Sequence, residues 1–491
     1  MQSDNLKHRT AGTLKWNLLD RVATQVLYAV TGVVLARMLS QEDFGLVGAV
    51  LVFQAFASLL VDSGFSYALI QRKSPSQLDY STVLWFNMGV ALALYGLAWV
   101  CAPLVADCFH GDARLIPLTR AMFVVLPLNA SAIVQCNRLT KRMDVRMIAV
   151  ANTLGLVAGA VVGISLALKG FGAWAIVWQS ITLAAVKSMV LWVSERWRPS
   201  LAFSFAALRS YSGVGGRMMF TSFLNTLFQN IYSFFIGNRV GLVSLGYYTQ
   251  SDKWSKMGIT SISQVLTSSF LPALSAVQDD PERFRRLAAR MNRFTGYLLF
   301  PATLGLAAMA TPIFHTLFGT KWDPSIPLFQ MLLVRGIFTV LNSLYNNYIL
   351  AIGRARAIVW LEMLRDGAAI VALVATLPLM ALSTASDPVA GLRMMLWGQI
   401  AASALTWVVS AIVAARSIGA TVRSFVTDLA PYAALTLLIV PVMLLVHRAM
   451  PAPLASCVAQ AVVAVALYIG ANRLGGSRIQ EELLAYLRRG K

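Results

Sequence analysis

The chain has 491 residues, of which 57 % are hydrophobic and only 13 % are charged, with a mean hydropathy of +0.66. Soluble proteins carry about 25 % charged residues, so this composition excludes a soluble globular protein and indicates that lipid surrounds most of the chain. The net charge of +20 does not indicate nucleic-acid binding, because the basic residues lie in short loops between apolar runs rather than in one basic domain.

Apolar runs of transmembrane length follow one another along the whole chain. A helix needs about 20 apolar residues to cross the bilayer, and runs of that length predict fourteen spans. We predict an all-α integral membrane protein, because a β-barrel would show short alternating strands instead. The predicted spans cover about residues 16–37, 45–68, 82–106, 115–137, 146–168, 172–194, 213–237, 245–273, 294–318, 325–351, 358–383, 390–415, 428–448 and 452–472.

Lysine and arginine residues concentrate in every second loop. The segments 138–146 and 283–293 hold four and five of them, whereas the alternate loops mostly hold single cations such as Lys169 and Arg239. The positive-inside rule then places both termini in the cytoplasm, with an even number of spans. No loop is long enough for a soluble catalytic domain, so the sequence predicts no enzyme.

Residues 279–294 and the tail 479–491 predict amphipathic helices. In the first segment, Asp280 is the expected N-cap and Pro281 the first helical residue. Its apolar residues fall on one side and its arginines on the other, as in a helix lying on an anionic membrane surface. We therefore predict that both segments are interfacial anchors, and the apolar side of the first comprises Phe284, Leu287, Met291 and Phe294.

The two halves of the chain contain three faint matches in the same order. DFGLVG (43–48) recurs as SLGYYT (244–249), SGFSYALI (63–70) as SSFLPALS (268–275), and IPLTRAMFVV (116–125) as IPLFQMLLVR (326–335). The last match also places Asn137 opposite Asn347. Internal repeats of this kind build the two lobes of many transporters. We predict pseudo-symmetric six-helix lobes at residues 1–200 and 201–415, followed by two further helices and a basic tail at 416–491.

Polar stripes run along several predicted spans. Hydroxyl and amide side chains there can serve simply as interhelical hydrogen bonds, and charges near a helix end can reach the headgroups. Arg335 is different, because it lies ten residues into its span, where a charge costs at least about 2.5–3.5 kcal/mol unless it faces protein or water. Since stripes begin both lobes, we predict a hydrated cavity between them.

The predicted cavity is slightly basic. Guanidinium groups bind phosphate through two parallel hydrogen bonds, and amides suit sugar hydroxyls, so the stripes favour an anionic, polar cargo. Asp20 and Asp62 are candidates for ion coupling, with a structural ion pair as the alternative. The scattered Cys and His residues predict no metal site, no cofactor and no catalytic group. The predicted substrate-binding residues are Arg21, Gln25, Arg217, Asn225, Gln229, Lys256, Arg335, Asn342 and Asn346.

Four motifs near the N-terminus carry a resemblance to a known family. WNLLDR (16–21), LARMLSQEDFGLVG (35–48), LVDSGFSYALIQRK (60–73) and DYSTVLWFN (79–87) resemble the N-terminal half of the bacterial polysaccharide flippase family, of the Wzx-like, colanic-acid-exporter type. That family belongs to the multidrug, oligosaccharidyl-lipid and polysaccharide exporter superfamily. Beyond these motifs the chain resembles the family in span number and length, and no set of binding residues carries over.

The resemblance implies two six-helix lobes in a V shape that work by alternating access. The implied cargo is an oligosaccharide linked to undecaprenyl pyrophosphate, moved across the inner membrane for exopolysaccharide or lipopolysaccharide biosynthesis. The implied partners are membrane lipids, with polysaccharide polymerase and export machinery as further candidates. A cation-coupled multidrug exporter of the same superfamily is the alternative and would favour a carboxylate-rich cavity. A polymerase or glycosyltransferase would show a large loop, and a scaffold would need no polar stripes.

Overall fold

The computed structural model describes the backbone of residues 2–62, 65–384 and 386–482. Within these ranges it leaves out the side chains of residues 2–15, 17–19, 67–68, 212–218, 220–221 and 265–269. The described chain is built from α-helices with two short 3-10 helices, Thr320–Trp322 and Leu377–Leu382. The α-helices are α1 (Gln2–Met38), α2 (Gln41–Asp62), α3 (Phe65–Gln71), α4 (Gln77–Cys108), α5 (Leu115–Met122), α6 (Val125–Lys141), α7 (Val145–Leu168), α8 (Ala173–Ser194), α9 (Phe205–Arg239), α10 (Leu242–Ser275), α11 (Pro281–Ala308), α12 (Ala310–Leu317), α13 (Ser325–Ala351), α14 (Ala355–Thr376), α15 (Ala390–Ile418), α16 (Val422–Ala449) and α17 (Pro453–Leu474).

Every predicted span coincides with one of these helices or with a consecutive pair. Among the described residues, nine helical segments are long and apolar enough to cross a membrane, and α11 with α12, bent by 61°, can form a tenth. Helix α14 falls outside this set and carries four charges, Arg356, Glu362, Arg365 and Asp366. The predicted all-α membrane class is confirmed for the described residues, whereas the count of fourteen spans stays a prediction.

The helices form two compact units, Met1–Gly246 (unit 1) and Tyr247–Lys491 (unit 2). Unit 1 extends beyond residue 200, where we predicted the first lobe to end, because α9 packs against α2, α3 and α4. This division follows packing, while the predicted lobes follow the internal repeat. The lobe boundaries at residues 200 and 415 therefore stay a prediction.

Helices α7 and α8 of unit 1 approach each other along a row of glycines. Gly155, Gly159 and Gly163 lie four residues apart and so share one face of α7. A Cβ atom added at Gly155 or Gly159 would lie 2.8 Å from a backbone oxygen of α8. Small residues at this spacing let two helix backbones approach closely in lipid, where packing rather than water exclusion drives association.

The amphipathic segment 279–294 forms the start of α11, and its apolar side does not face lipid. The N-cap prediction is confirmed, since the Asp280 carboxylate accepts hydrogen bonds from the backbone nitrogens of Glu282 and Arg283 at 3.1 and 3.0 Å. The apolar side, however, is buried in protein. Phe284 and Met291 join a core cluster with Tyr348 and Phe425. The interfacial-anchor prediction is wrong here because neighbouring helices, and not lipid, cover this side.

The tail after α17 also packs onto protein at its start. Ile479 and Gln480 are buried, and Gln480 Nε2 donates a hydrogen bond to the Ile469 carbonyl at 3.0 Å. The described part of the predicted tail helix therefore packs against protein, whereas a surface anchor would place its apolar side in lipid. Residues 483–491 lie outside the described residues.

Helix boundaries follow the internal repeat. Helices α5 and α6 together span 115–141, and α13 spans 325–351, which is 210 residues later at both ends. The matched residues Asn137 and Asn347 are both buried, with 8 % and 6 % exposure. Each has an amide nitrogen without a hydrogen-bond acceptor among the described residues. The two segments thus share length, register and a buried asparagine, as duplicated elements would.

The first repeated motif forms a reciprocal contact within unit 1. A Cβ atom at Gly45 would lie 1.8 Å from the Leu242 carbonyl oxygen, and one at Gly246 would lie 1.9 Å from the Gln41 carbonyl oxygen. Gly45 and Gly246 are 201 residues apart, as are Gln41 and Leu242. When each residue of the first contact is replaced by its repeat equivalent, the second contact results. Elements related by a two-fold axis produce this pattern.

Candidate substrate-binding site

Two predicted cations of unit 2 share one carboxylate. Lys256 Nζ lies 2.6 Å from Asp252 Oδ2 one turn earlier on α10. Arg335 Nη2 of α13 lies 3.7 Å from the other oxygen, Asp252 Oδ1, and Arg335 Nη1 donates a hydrogen bond to Gln399 Oε1 of α15. Three helices thus hold two positive charges against one negative charge. We call Asp252, Lys256, Arg335 and Gln399 the cationic cluster.

The cationic cluster is only partly accessible. The side chains of Asp252 and Arg335 are 17 % and 23 % exposed, and Gln399 is buried. Its amide nitrogen has no hydrogen-bond acceptor among the described residues. A buried polar atom without a partner costs about 1–3 kcal/mol, so a bound group that accepts this hydrogen bond would recover that free energy.

Asn342 and Asn346 lie further along α13, towards its C-terminal end. Asn346 Nδ2 donates a hydrogen bond to Glu362 Oε1 of α14 at 3.3 Å, and Glu362 also pairs with Arg365 at 2.5 Å. The side-chain oxygens of both asparagines are buried without a donor in the part of the chain that the structure describes. Both oxygens are therefore unused hydrogen-bond acceptors within the described part of the protein.

In unit 1, Asp20 contacts a neighbouring helix. It accepts hydrogen bonds from Thr24 Oγ1 on α1 and from Asn152 Nδ2 on α7, both at 3.3 Å. Arg21, the next residue, is exposed, and Gln25 one turn later is half-buried. Asp20 thus takes part in an interhelical hydrogen bond, the role that we considered for the hydroxyl and amide side chains of the stripes.

Asp62 joins two consecutive helices. It ends α2 and accepts a hydrogen bond from Ser66 Oγ of α3 at 2.5 Å. This contact is local, and ion coupling by Asp20 or Asp62 stays a prediction.

The predicted residues of α9 lie along one side of that helix. Asn225 and Gln229 are exposed, and Gln229 Nε2 donates a hydrogen bond to Asn225 Oδ1 at 3.1 Å. Arg217 lies two turns before Asn225 on the same helix, with its side chain outside the described residues.

The structure therefore groups the predicted residues within each unit. Lys256 and Arg335 come together, as do Asn225 with Gln229, whereas Asp20 and Asp62 each have separate partners. Sequence reasoning missed Gln399 and Asn152, although each is an amide within an apolar span and could have been found by that signal. Among the described residues, no three His, Cys, Asp or Glu side chains come together as metal ligands.

Comparison with known proteins identifies the family. A profile of the polysaccharide biosynthesis protein family matches residues 34–327, which is more than half of the chain and extends well beyond the N-terminal motifs. The chain belongs to the polysaccharide biosynthesis protein family. This confirms the resemblance that those motifs carry.

Three bacterial proteins are similar to this chain over most of their length. The succinoglycan biosynthesis transport protein ExoT of Rhizobium meliloti (strain 1021) is 27 % identical over 352 residues, 71 % of each chain. The lipopolysaccharide biosynthesis protein WzxC of Escherichia coli (strain K12) is 26 % identical over 356 residues, again 71 % of each. The teichuronic acid biosynthesis protein TuaB of Bacillus subtilis (strain 168) is 22 % identical, covering 70 % of this chain and 71 % of its own.

Solved structures share the fold. The lipid II flippase MurJ, in its inward closed conformation, aligns with a TM-score of 0.70 over 95 % of this chain and 100 % of its own, at 13 % identity. An inward-facing multidrug resistance MATE family transporter of the MOP superfamily aligns with a TM-score of 0.61 over 80 % and 94 %, at 16 % identity. This family member is thus a multi-pass bacterial membrane protein with an all-helical exporter fold.

Proposed function

We propose that this protein is a flippase that moves an undecaprenyl-pyrophosphate-linked oligosaccharide across the inner membrane by alternating access, for exopolysaccharide or lipopolysaccharide biosynthesis. Membership of the polysaccharide biosynthesis family supports the cargo class. Two relatives are named for succinoglycan transport and for lipopolysaccharide biosynthesis. A solved structure with the same fold is a lipid II flippase.

The main chemical support for this proposal is that the cationic cluster can bind a pyrophosphate. A pyrophosphate approaching Arg335 and Lys256 competes with Asp252 for two cations that one carboxylate neutralises only in part. A guanidinium donates two parallel hydrogen bonds to a phosphate group and stays charged at any physiological pH. Arg335, assisted by Lys256, is therefore the main anion-binding residue of unit 2, and Arg21 and Arg217 are the proposed anion-binding residues of unit 1.

The remaining predicted residues bind the sugars. Asn342 and Asn346 each offer a buried oxygen without a donor among the described residues, and sugar hydroxyls would donate to them. Gln25, Asn225 and Gln229 supply further amides. The headgroup thereby crosses without exposing polar groups to hydrocarbon, where each unpaired group costs several kcal/mol, while the prenyl chain stays in lipid.

The proposed orientation places both termini in the cytoplasm and the cargo entrance on that side. The alternation of basic and less basic loops supports it. Polysaccharide polymerase and export proteins are the proposed partners, because a translocated repeat unit must be extended and exported. The rival function, a cation-coupled multidrug exporter, would instead use the carboxylates of Asp20, Asp62 and Asp252 to bind a cationic drug.

The proposal predicts that Arg335→Ala and Arg217→Ala reduce transport of the lipid-linked oligosaccharide about tenfold or more, since a charged hydrogen bond contributes about 1.5–3 kcal/mol. Transport is measured in proteoliposomes, or by accumulation of the lipid-linked oligosaccharide in the inner leaflet when the variant replaces the natural protein. Arg393→Ala is the matched control, because Arg393 pairs with Asp387, six residues before it, and does not belong to the cationic cluster.

Full transport by both variants would contradict the anion-binding role. Export of cationic dyes that depends on the carboxylates and is indifferent to Arg335 would favour the multidrug exporter.

A further inference from the structure

Unit 2 contains a cavity of about 580 Å³ that the substrate-binding prediction does not use. It lies between the start of α11, the turn joining α15 to α16, the start of α16 and the chain after α17. Its charged lining consists of two carboxylates, Asp428 and Glu482, and five arginines, Arg285, Arg286, Arg290, Arg293 and Arg478. We call it the arginine cavity, and its lining has a net charge of +3.

Two of the five arginines are neutralised within the cavity. Arg290 Nη2 lies 2.7 Å from Glu482 Oε2, and Arg293 Nε lies 3.4 Å from Asp428 Oδ1. These pairs use both carboxylates of the lining. They also connect α11 to the chain after α17 and to α16, so they shape the cavity.

The other three arginines keep their charge available. Arg285 donates a hydrogen bond to the Gly419 carbonyl at 3.1 Å, which is a neutral acceptor. Arg286 has only a loose contact with Glu282, at 3.8 Å and with both side chains about three-quarters exposed, and such exposed pairs contribute little. Arg478 has no ion pair among the described residues and is exposed.

Apolar side chains line the same cavity beside these charges. Ile418, Phe425 and Ile479 contribute to its wall. A soluble phosphate has no apolar part that could pack against these side chains. A lipid, in contrast, presents a phosphate together with its glycerol and the start of its acyl chains. The combination of an apolar wall and three guanidinium groups that pair with neither carboxylate of the lining fits an anionic amphiphile.

The predicted orientation also places the cavity at the level of the lipid headgroups. Helix α11 is polar and basic up to Arg293 and apolar from Phe294 onward, α16 begins at Val422, and α17 ends at Leu474. Three helix ends therefore meet at the cavity, at the predicted cytoplasmic interface. Basic pockets between helices on that side bind anionic headgroups in other membrane proteins, and the cytoplasmic leaflet attracts clustered arginines.

We propose that the arginine cavity binds the phosphate headgroup of an anionic phospholipid of the surrounding membrane, through Arg285, Arg286 and Arg478. This site is separate from the cationic cluster and does not depend on the proposed flippase function. The bound lipid bridges α11 and the chain after α17, and it neutralises positive charges that would otherwise repel one another across the cavity.

The test is lipid retention by the purified full-length protein. Native mass spectrometry measures adducts with phosphatidylglycerol and with phosphatidylcholine, and the melting temperature is followed as each lipid is added. We expect the natural protein to retain phosphatidylglycerol preferentially and to melt at a higher temperature with it. Arg286→Gln combined with Arg478→Gln is expected to weaken this binding about tenfold or more, because each arginine near a headgroup contributes substantially to anionic lipid binding.

Arg283→Gln is the matched control, because Arg283 is exposed on the same helix but does not line the cavity. It should leave lipid retention unchanged. Both altered arginines of the double variant are exposed, so that variant should melt at the natural temperature in phosphatidylcholine, which separates a lost lipid from a lost fold.

Four results would overturn the proposal. The first is equal retention of the two lipids by the natural protein, and the second is undiminished phosphatidylglycerol binding by the double variant. The third is competition by free glycerol phosphate at the same concentration, which would assign the cavity to a soluble phosphate. The fourth is a preference for undecaprenyl phosphate over phosphatidylglycerol, which would assign the cavity to the substrate lipid.

Discussion

Gly45→Ala and Gly246→Ala are each expected to destabilise the protein strongly and to reduce the yield of folded protein. The added Cβ atom would lie 1.8 or 1.9 Å from a backbone carbonyl oxygen of the facing segment, far inside any van der Waals contact. Because the obstacle is backbone and not a flexible side chain, the helices themselves must separate. Overpacking of a close contact costs typically 1–3 kcal/mol, and we expect at least the upper end of about 3 kcal/mol here.

The measurement is the yield of monodisperse protein after extraction from the membrane, together with its melting temperature. Gly96→Ala is the matched control, because Gly96 lies inside α4 with open space around the position of a Cβ atom. Alanine there should be neutral or slightly stabilising, since glycine within a helix costs about 1 kcal/mol relative to alanine. If the yield and melting temperature of Gly45→Ala equal those of the natural protein, the two segments are not in close contact at Gly45.

Arg138→Met is expected to be the most destabilising change among the basic residues of unit 1. Glu195 is 3 % exposed and accepts hydrogen bonds from Arg138 and Arg142 at 3.0–3.4 Å. Arg138 is itself only 15 % exposed, and its guanidinium stacks over the rings of Tyr80 and Trp197 at 4.7 and 5.4 Å. Without Arg138 the buried carboxylate keeps only the exposed Arg142 as its cation, and breaking a buried ion pair costs up to about 3–5 kcal/mol.

Arg142→Met provides the comparison, because Arg142 binds the same carboxylate but is 58 % exposed. Exposed ion pairs contribute at most about 1 kcal/mol, so its effect should be several-fold smaller. The double variant Arg138→Met with Glu195→Gln should recover part of the lost free energy of unfolding, since the buried charge is then gone. Equal losses for Arg138→Met and Arg142→Met would contradict the assigned difference in burial.

Local pattern was enough to predict much of the fold. Composition, run length and apolarity predicted an all-α membrane protein, and each predicted span coincides with helix. The repeat offset of 210 residues, found in the sequence, recurs in the helix boundaries at 115–141 and 325–351, although we predicted the first of these spans to end at about residue 137. These features depend either on residues close in sequence or on the apolarity of whole segments. Both properties can be read directly from the amino-acid sequence.

The candidate site could be predicted only in part. The residue types and their helix faces were available, and Lys256 and Arg335 do come together. Their meeting point at Asp252, and the contribution of Gln399, required knowing that α10, α13 and α15 lie side by side. Partners that are 64 or more residues apart in sequence follow from helix packing, for which no local pattern exists.

The sequence by itself determined that lipid surrounds most of this protein. It also determined the helices, the repeated segments and the family motifs, because each follows from the composition or periodicity of a continuous stretch. Only the tertiary structure decided what covers each helix face. The amphipathic start of α11 shows the difference: its periodicity predicted the helix and the N-cap correctly, but lipid and protein are equally apolar partners for Phe284 and Met291. Packing assigned that side to the protein core and left the arginines lining a cavity.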